Sequence, residues 1–171
     1  AIRDIFGALL NGATLCMSDL RREGLSHVLE DLDRRKVTVL HAMPPVLRAL
    51  MSSQKRNICP EARVLYTAGD RLLTRDLSDL RARLPEGCSV YTGIGSTECA
   101  TLYREWAIPD GWAADGVIVP VGHAIPDREM RLVDAGGQEV AAGEVGFIEI
   151  SSPYIARGYW NDPALTKASF R

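Results

Sequence analysis

The sequence predicts an α/β fold in two parts, a parallel sheet with flanking helices followed by a small antiparallel β subdomain. Between residues 25 and 92, short β-branched runs alternate with segments whose apolar residues recur at helical spacing. Beyond residue 116 the helical spacing gives way to short runs that alternate every second residue and are separated by glycine turns. Residues 104–116, with Pro109, Gly111 and Gly116, read as the link, which places the α/β part at 1–108 and the β part at 117–171.

Taken in order, Ile2, Ile5, Phe6, Leu9 and Leu10 form one helical stripe that starts without a capping residue, as if the chain opened inside an element. Leu165 to Arg171 closes on a charged residue with no final turn, so both ends read as cuts. Leu25, Val28, Leu29 and Leu32 predict a helix, and Val37 to Leu40 a strand. The Pro44-Pro45 pair suits a first helical turn, where an N–H has no partner to lose, and Val46, Leu47, Leu50 and Met51 supply the apolar face. Val64 to Ala68 is the next strand, Thr74 is placed to cap a helix carrying Leu77, Leu80 and Leu84, and Ser89 to Thr92 is a further strand. In the second part, Met130 and Leu132 alternate with Arg131 and Val133, and Phe147 to Ser151 alternates likewise. Turns fall at Ala135-Gly136-Gly137 and Ala142-Gly143-Glu144.

Crossovers of helical length imply parallel strands, and such sheets bind ligands beyond the carboxyl ends of their strands. Those ends are Ala42-Met43-Pro44, Ala68-Gly69-Asp70 and Thr92-Gly93-Ile94-Gly95.

Composition excludes several classes. The chain has 171 residues, 46% hydrophobic and 25% charged, and no apolar run near the roughly 18 residues a membrane span needs, so no membrane role is expected. Lys and Arg number 20 against 22 Asp and Glu, without a basic stripe, which argues against nucleic acid as a partner. The cysteines at 16, 59, 88 and 99 match neither paired zinc spacing nor a disulfide framework and read as reduced thiols of a cytoplasmic protein.

The segment Thr92-Gly93-Ile94-Gly95-Ser96-Thr97-Glu98 leaves a strand with glycines, hydroxyls and then a carboxylate. Glycines admit a close approach of backbone to ligand, hydroxyls and amides donate to phosphate oxygens, and a carboxylate holds the Mg²⁺ that bridges them. The same residue types also build ordinary turns. Further motifs decide between these. They are Phe6-Gly7-Ala8-Leu9-Leu10-Asn11-Gly12-Ala13, Pro44-Pro45, Thr67-Ala68-Gly69-Asp70, Gly95-Ser96-Thr97-Glu98, Val121-Gly122, Gly143-Glu144-Val145-Gly146 and Ala156-Arg157-Gly158-Tyr159-Trp160, followed by Asn161 to Thr166 and Phe170. In this order they resemble the adenylate-forming (AMP-binding) enzymes, over the central part of a non-ribosomal peptide synthetase adenylation domain.

The resemblance implies part of the large N-terminal adenylation subdomain followed by a β-barrel-like subdomain. It implies ATP-dependent activation of a small carboxylic acid, for preference an amino acid, to the acyl-adenylate. Transfer would follow to a carrier-protein phosphopantetheine thiol, or to CoA in the alternative of an acyl- or aryl-CoA ligase. An inert structural or interaction module is the alternative from another class. By the same match Thr97 would contact phosphate and Glu98 would bind Mg²⁺, these two being the catalytic pair. Gly69, Asp70, Thr92, Gly93, Ile94, Gly95 and Ser96 would join Thr97 around ATP, and Arg3, Ala42, Tyr66, Ala68, Gly93, Thr101 and Leu102 would line the acid pocket. Two positions depart from the family pattern, which usually has Asn at Thr92 and an aromatic at Ile94, both against adenine. The family's phosphate loop and ammonium-binding Asp would precede residue 1, and its ribose-binding Asp and catalytic Lys would follow residue 171, so this segment alone is expected not to adenylate. Without the resemblance, Arg3 reads as a solvated charge, His41 as a rim histidine, and Tyr159-Trp160 as an apolar anchor between the subdomains.

Overall fold

The structure, a computed structural model, describes residues 2–54, 56–113 and 116–170; Ala1, Arg171 and residues 114 and 115 of the expected link lie outside this set. It divides into two compact units, residues 1–92 with 106–121 and residues 93–105 with 122–171.

In the first unit, helix α1 (Ile2–Leu10) follows the predicted apolar stripe, yet none of its residues is buried. Helix α2 (Leu20–Arg34) opens at Asp19, whose carboxylate accepts the Arg21 N–H, and Gly24 at φ 78° interrupts it, so regular turns begin near Leu25. Asp31 is buried on α2 and held by Arg34 and Arg35 at 2.5 and 2.9 Å. Strand β1 (Val39–His41) starts two residues later than the β-branched run suggests. The reason is that Val37 donates its N–H to Leu32 O while its carbonyl faces the Cys59 thiol, so its backbone closes the helix instead of joining the sheet.

Helix α3 (Pro44–Ser53) carries the prolines in its first turn, where no N–H is needed. Strand β2 (Val64–Ala68) pairs with β1 in parallel, with Val39, Leu40 and His41 opposite Val64, Leu65 and Tyr66. Helix α4 (Thr74–Arg81) has Leu73 and not Thr74 at its N-cap position, without a side-chain cap from that residue, and the Thr74 hydroxyl donates instead to Gly116 O at 2.6 Å. The Asp76 carboxylate takes over, accepting the Leu73 N–H and a 2.7 Å hydrogen bond from Arg48. Leu84 is buried but lies beyond the helix end.

Strand β3 (Ser89–Ser96) runs four residues further than predicted and crosses from the first unit to the second between Thr92 and Gly93. Strand β4 (Thr101–Ile108) occupies the start of the expected link, so the single link over 104–116 is not what forms. The charged pair Arg104-Glu105 hides this strand in the sequence; both pair with β5 (His123–Ala124), and the Arg104 guanidinium donates to Gly122 O. The five strands lie in the order β1-β2-β3-β4-β5.

The first unit's core is continuous, with Leu47, Leu50, Ile58, Leu65 and Leu80 each no more than 1% exposed. Each such side chain contributes about 1.5–3 kcal/mol through burial. Cys59 and Cys88 belong to this core, and the cysteines are free thiols; burial pushes Cys59 up to about 11.

In the second unit, β6 (Glu129–Val133) and β7 (Phe147–Ser151) pair antiparallel, with Met130 opposite Ile150 and Leu132 opposite Ile148, the small antiparallel sheet the alternation predicts. A helix the sequence reading did not anticipate, α5 (Pro163–Ser169), follows; Asp162 caps it by accepting the Leu165 N–H, and Pro163 sits in its first turn. Among the described residues no helix is long and apolar enough to cross a membrane.

Candidate functional site

The residues expected at the site fall into two sets, one in each unit, joined covalently at Thr92 and Gly93.

The first set gathers at the carboxyl ends of β1 and β2. His41 and Tyr66 are register partners in parallel strands, so their side chains share a sheet face, and their rings meet edge to face at 5.3 Å. Tyr66 also stacks on Tyr91 of β3, at 6.3 Å and 20° between planes. The Arg3 guanidinium covers the Tyr66 ring at 3.9 Å, a cation–π contact. Asp4, one residue further along α1, reaches His41 Nδ1 at 2.8 Å. Arg3 and His41 both belong to this ladder, and both are exposed. Ala42 follows β1 and donates its N–H to Tyr66 O, and Ala68 closes β2, so the positions flanking the ladder are small. Gly69 has φ 90°, and a Cβ there would stand 3.5 Å from Met43 Sδ. Asp70 is exposed and accepts the Arg71 N–H at 2.7 Å. Thr92 is 3% exposed, so in this structure its hydroxyl faces protein and not solvent.

The second set runs from the last four residues of β3, Gly93 to Ser96, into the turn that follows it. Ser96 and Ile94 are part-exposed, Gly95 and Thr97 exposed. A turn over Thr97–Ala100 leads to β4, where Thr101 is exposed and Leu102 is 9% exposed. Ala100 and Thr101 both have positive φ, 56° and 125°, which is costly for a β-branched residue and marks a turn held by its surroundings. Glu98 lies within this turn. The Tyr159 hydroxyl donates to Glu98 Oε1 at 2.6 Å, and the Ala156 N–H donates to Glu98 O at 2.8 Å. The Tyr159 hydrogen bond foremost, then the residue's own N–H and the Ser96 hydroxyl, hold the Glu98 carboxyl below its ordinary range, while the same carboxylate pushes the Tyr159 phenol up.

Tyr159 is the residue that sequence reasoning misplaced. It is not an apolar anchor: its hydroxyl is committed to Glu98, its ring packs on Phe170, and neighbouring Trp160 is 92% exposed. No spacing rule couples residues 61 apart.

A part-exposed carboxylate held below its ordinary range can serve as a ligand to a hard divalent cation. Among the described residues no three His, Cys, Asp or Glu side chains gather into a metal cage. Mg²⁺ characteristically takes one or two protein carboxylates and completes its shell with phosphate oxygens and water. Glu98 therefore suits a Mg²⁺ that arrives with a nucleotide.

The first unit is an α/β fold whose parallel strands present their carboxyl ends, where such folds bind ligands. Residues 1–160 match the AMP-binding enzyme family, and the chain belongs to it. It is 30% identical over 177 residues to the hybrid PKS-NRPS synthetase pyvA of Aspergillus violaceofuscus, covering 99% of this chain and 4% of that protein. It is 27% identical over 173 residues to the D-alanine–D-alanyl carrier protein ligase of Bacillus velezensis, covering 99% of this chain and 34% of the ligase. The structure of PA1221, an NRPS protein containing adenylation and PCP domains, superposes with a TM-score of 0.83 at 27% identity, over 99% of this chain and 34% of that one. The chain thus spans about a third or less of the length of these adenylate-forming relatives.

Proposed function

We propose that this chain carries the central part of an ATP-dependent, cytoplasmic enzyme that activates an amino acid as its aminoacyl-adenylate and passes it to the phosphopantetheine thiol of a carrier protein. The observation that carries this reading is Glu98, an ionised carboxylate fixed at 2.6 Å by Tyr159 directly after the Gly95-Ser96-Thr97 exit of β3. In the reaction a carboxylate oxygen of the acid attacks the α-phosphorus of ATP, the bond to pyrophosphate breaks, and the thiol later displaces AMP from the acyl carbon.

The chain's residues would divide the work as follows. By the family resemblance Gly69 and Asp70 would border the adenine, and Gly93 would contact both nucleotide and acid. Gly95, Ser96 and Thr97 would offer amides and hydroxyls to the phosphates, and Glu98 would hold Mg²⁺. Mg²⁺ when bound would offset charge on the phosphate as the bond to pyrophosphate breaks. By the same resemblance Ala42, Tyr66 and Ala68 would belong to the acid site, with Arg3 beside them, and Thr101 and Leu102 would be the second unit's candidates for it. The short side chains of Ala42 and Ala68 would favour an acid with a sizeable side chain.

Pyrophosphate exchange by the full-length protein containing this chain, run against a panel of carboxylic acids, tests the reading. Exchange with one amino acid, followed by loading of a carrier protein and not of CoA, is the expected result. Loading of CoA would move the protein to the acyl- or aryl-CoA ligases, and absence of exchange with every acid, together with no thermal stabilisation by ATP and Mg²⁺, would leave an inert module.

Ile94 offers a second measurement. It can cover an adenine but cannot stack on it, and base stacking on an aromatic side chain is worth about 1–3 kcal/mol. Ile94→Tyr is expected to tighten ATP binding by roughly 5- to 150-fold in calorimetry; an unchanged Kd would show that adenine does not lie against this position.

A further inference from the structure

We propose that Tyr159 is a positioning residue for Glu98, holding its carboxylate in one direction through a neutral donor so that its negative charge stays available to a divalent cation. The inference rests on the reading of Glu98 as the Mg²⁺ ligand and adds a residue to it.

The geometry is specific. Residues 156–159 grip Glu98 twice, at its carbonyl through the Ala156 N–H at 2.8 Å and at Oε1 through the Tyr159 hydroxyl at 2.6 Å. Tyr159 is itself fixed: its N–H donates to Thr166 Oγ1 at 2.9 Å, and its ring lies edge to face on Phe170 at 5.5 Å. Thr166 in turn donates its hydroxyl to Asp162 O at 2.7 Å. The chain can make this contact only with glycine at 158, where φ is 148° and a Cβ would stand 2.5 Å from Thr166 Cγ2. Helix α5 is thus the support on which the Tyr159 phenol is aimed.

The donor's chemistry matters as much as its place. A Lys or Arg in this position would orient the carboxylate but also neutralise it, weakening its pull on a cation. A phenol, with an ordinary pKa near 10, remains uncharged across the working range and stabilises the ionised carboxylate while leaving its charge uncompensated.

The test is Tyr159→Phe in the full-length protein, since Phe keeps the ring on Phe170 and removes only the hydroxyl. In the nucleotide-free protein, ¹³C-carboxyl NMR is expected to show the Glu98 carboxyl titrating at higher pH than in the parent. With ATP and the acid, the Mg²⁺ concentration for half-maximal pyrophosphate exchange is expected to rise about 3- to 10-fold, the range a single hydrogen bond supports. The acid limb of the exchange profile should move upward in pH with it, because a carboxyl whose pKa rises is neutralised earlier as pH falls. A Glu98 titration and a Mg²⁺ requirement both unchanged by Tyr159→Phe would overturn the positioning role while leaving Glu98 as the ligand. If instead Glu98→Gln leaves the Mg²⁺ requirement untouched, the ligand reading fails, and with it the proposal, even where the NMR shift still registers the hydrogen bond.

Discussion

Gly95→Ala is expected to destabilise the second unit by about 3 kcal/mol, the upper end of the usual cost of overpacking, because the atoms it meets cannot yield. A Cβ at residue 95 would lie 1.6 Å from Thr101 O and 2.5 Å from Leu102 Cα, and both are backbone atoms with no rotamer in which to retreat. Relief would require β3 and β4 to part, together with the Thr97–Ala100 turn between them and the Glu98 it carries. Denaturant unfolding of the wild type and the variant measures the effect. Gly7→Ala is the matched control: nothing lies within 4 Å of its Cβ position, and it sits within α1, where alanine is the better helix former by about 1 kcal/mol. An equally small change for both variants would mean that the close approach at Gly95 is not realised in solution.

Gly95 also illustrates how far the sequence is legible. The glycine marks a close approach, as the residue type requires, but the sequence does not say what approaches; read alone it suggests a ligand, and in the structure the chain's own β4 comes nearest. Strands and helices with strong periodicity are readable for the same reason that they are stable. Leu47 and Leu50 in α3 sit where a period of 3.6 puts them, and each is essentially fully buried. Strand β4 escaped because Arg104 and Glu105 break the apolar pattern at positions whose satisfaction depends on Gly122 and β5, contacts that no local window contains. Helix α5 was legible in principle, since Asp162-Pro163 is a cap followed by a first-turn proline, but at seven residues it offers too little periodicity to outweigh a loop. The ladder Arg3–Tyr66–Tyr91 and the Asp4–His41 pair depend on strand register and on where α1 lies beside the sheet, which are tertiary facts.

Glu98→Gln in the full-length protein is expected to lower kcat/KM for pyrophosphate exchange by roughly 10²–10³-fold, comparable to losing one preorganised electrostatic contact to a transition state. The substitution keeps the shape of the side chain and an oxygen for the Tyr159 hydroxyl, so the packing of the turn should survive and unfolding should change little. What it removes is the charge, which the surroundings of Glu98 are arranged to keep: its pKa is lowered by Tyr159 first, and no carboxylate, histidine or cysteine cluster among the described residues could replace it as a ligand. The defect should therefore be one of metal as well as of rate, with the Mg²⁺ requirement shifted upward and saturating metal restoring only part of the activity. Thr97 is the informative comparison. Its exposed hydroxyl is expected to donate a single neutral hydrogen bond to phosphate, so Thr97→Val should cost about tenfold and leave the metal requirement alone. Equal losses in the two variants, with metal dependence unchanged in both, would place Glu98 with the residues that shape the turn and outside the chemistry.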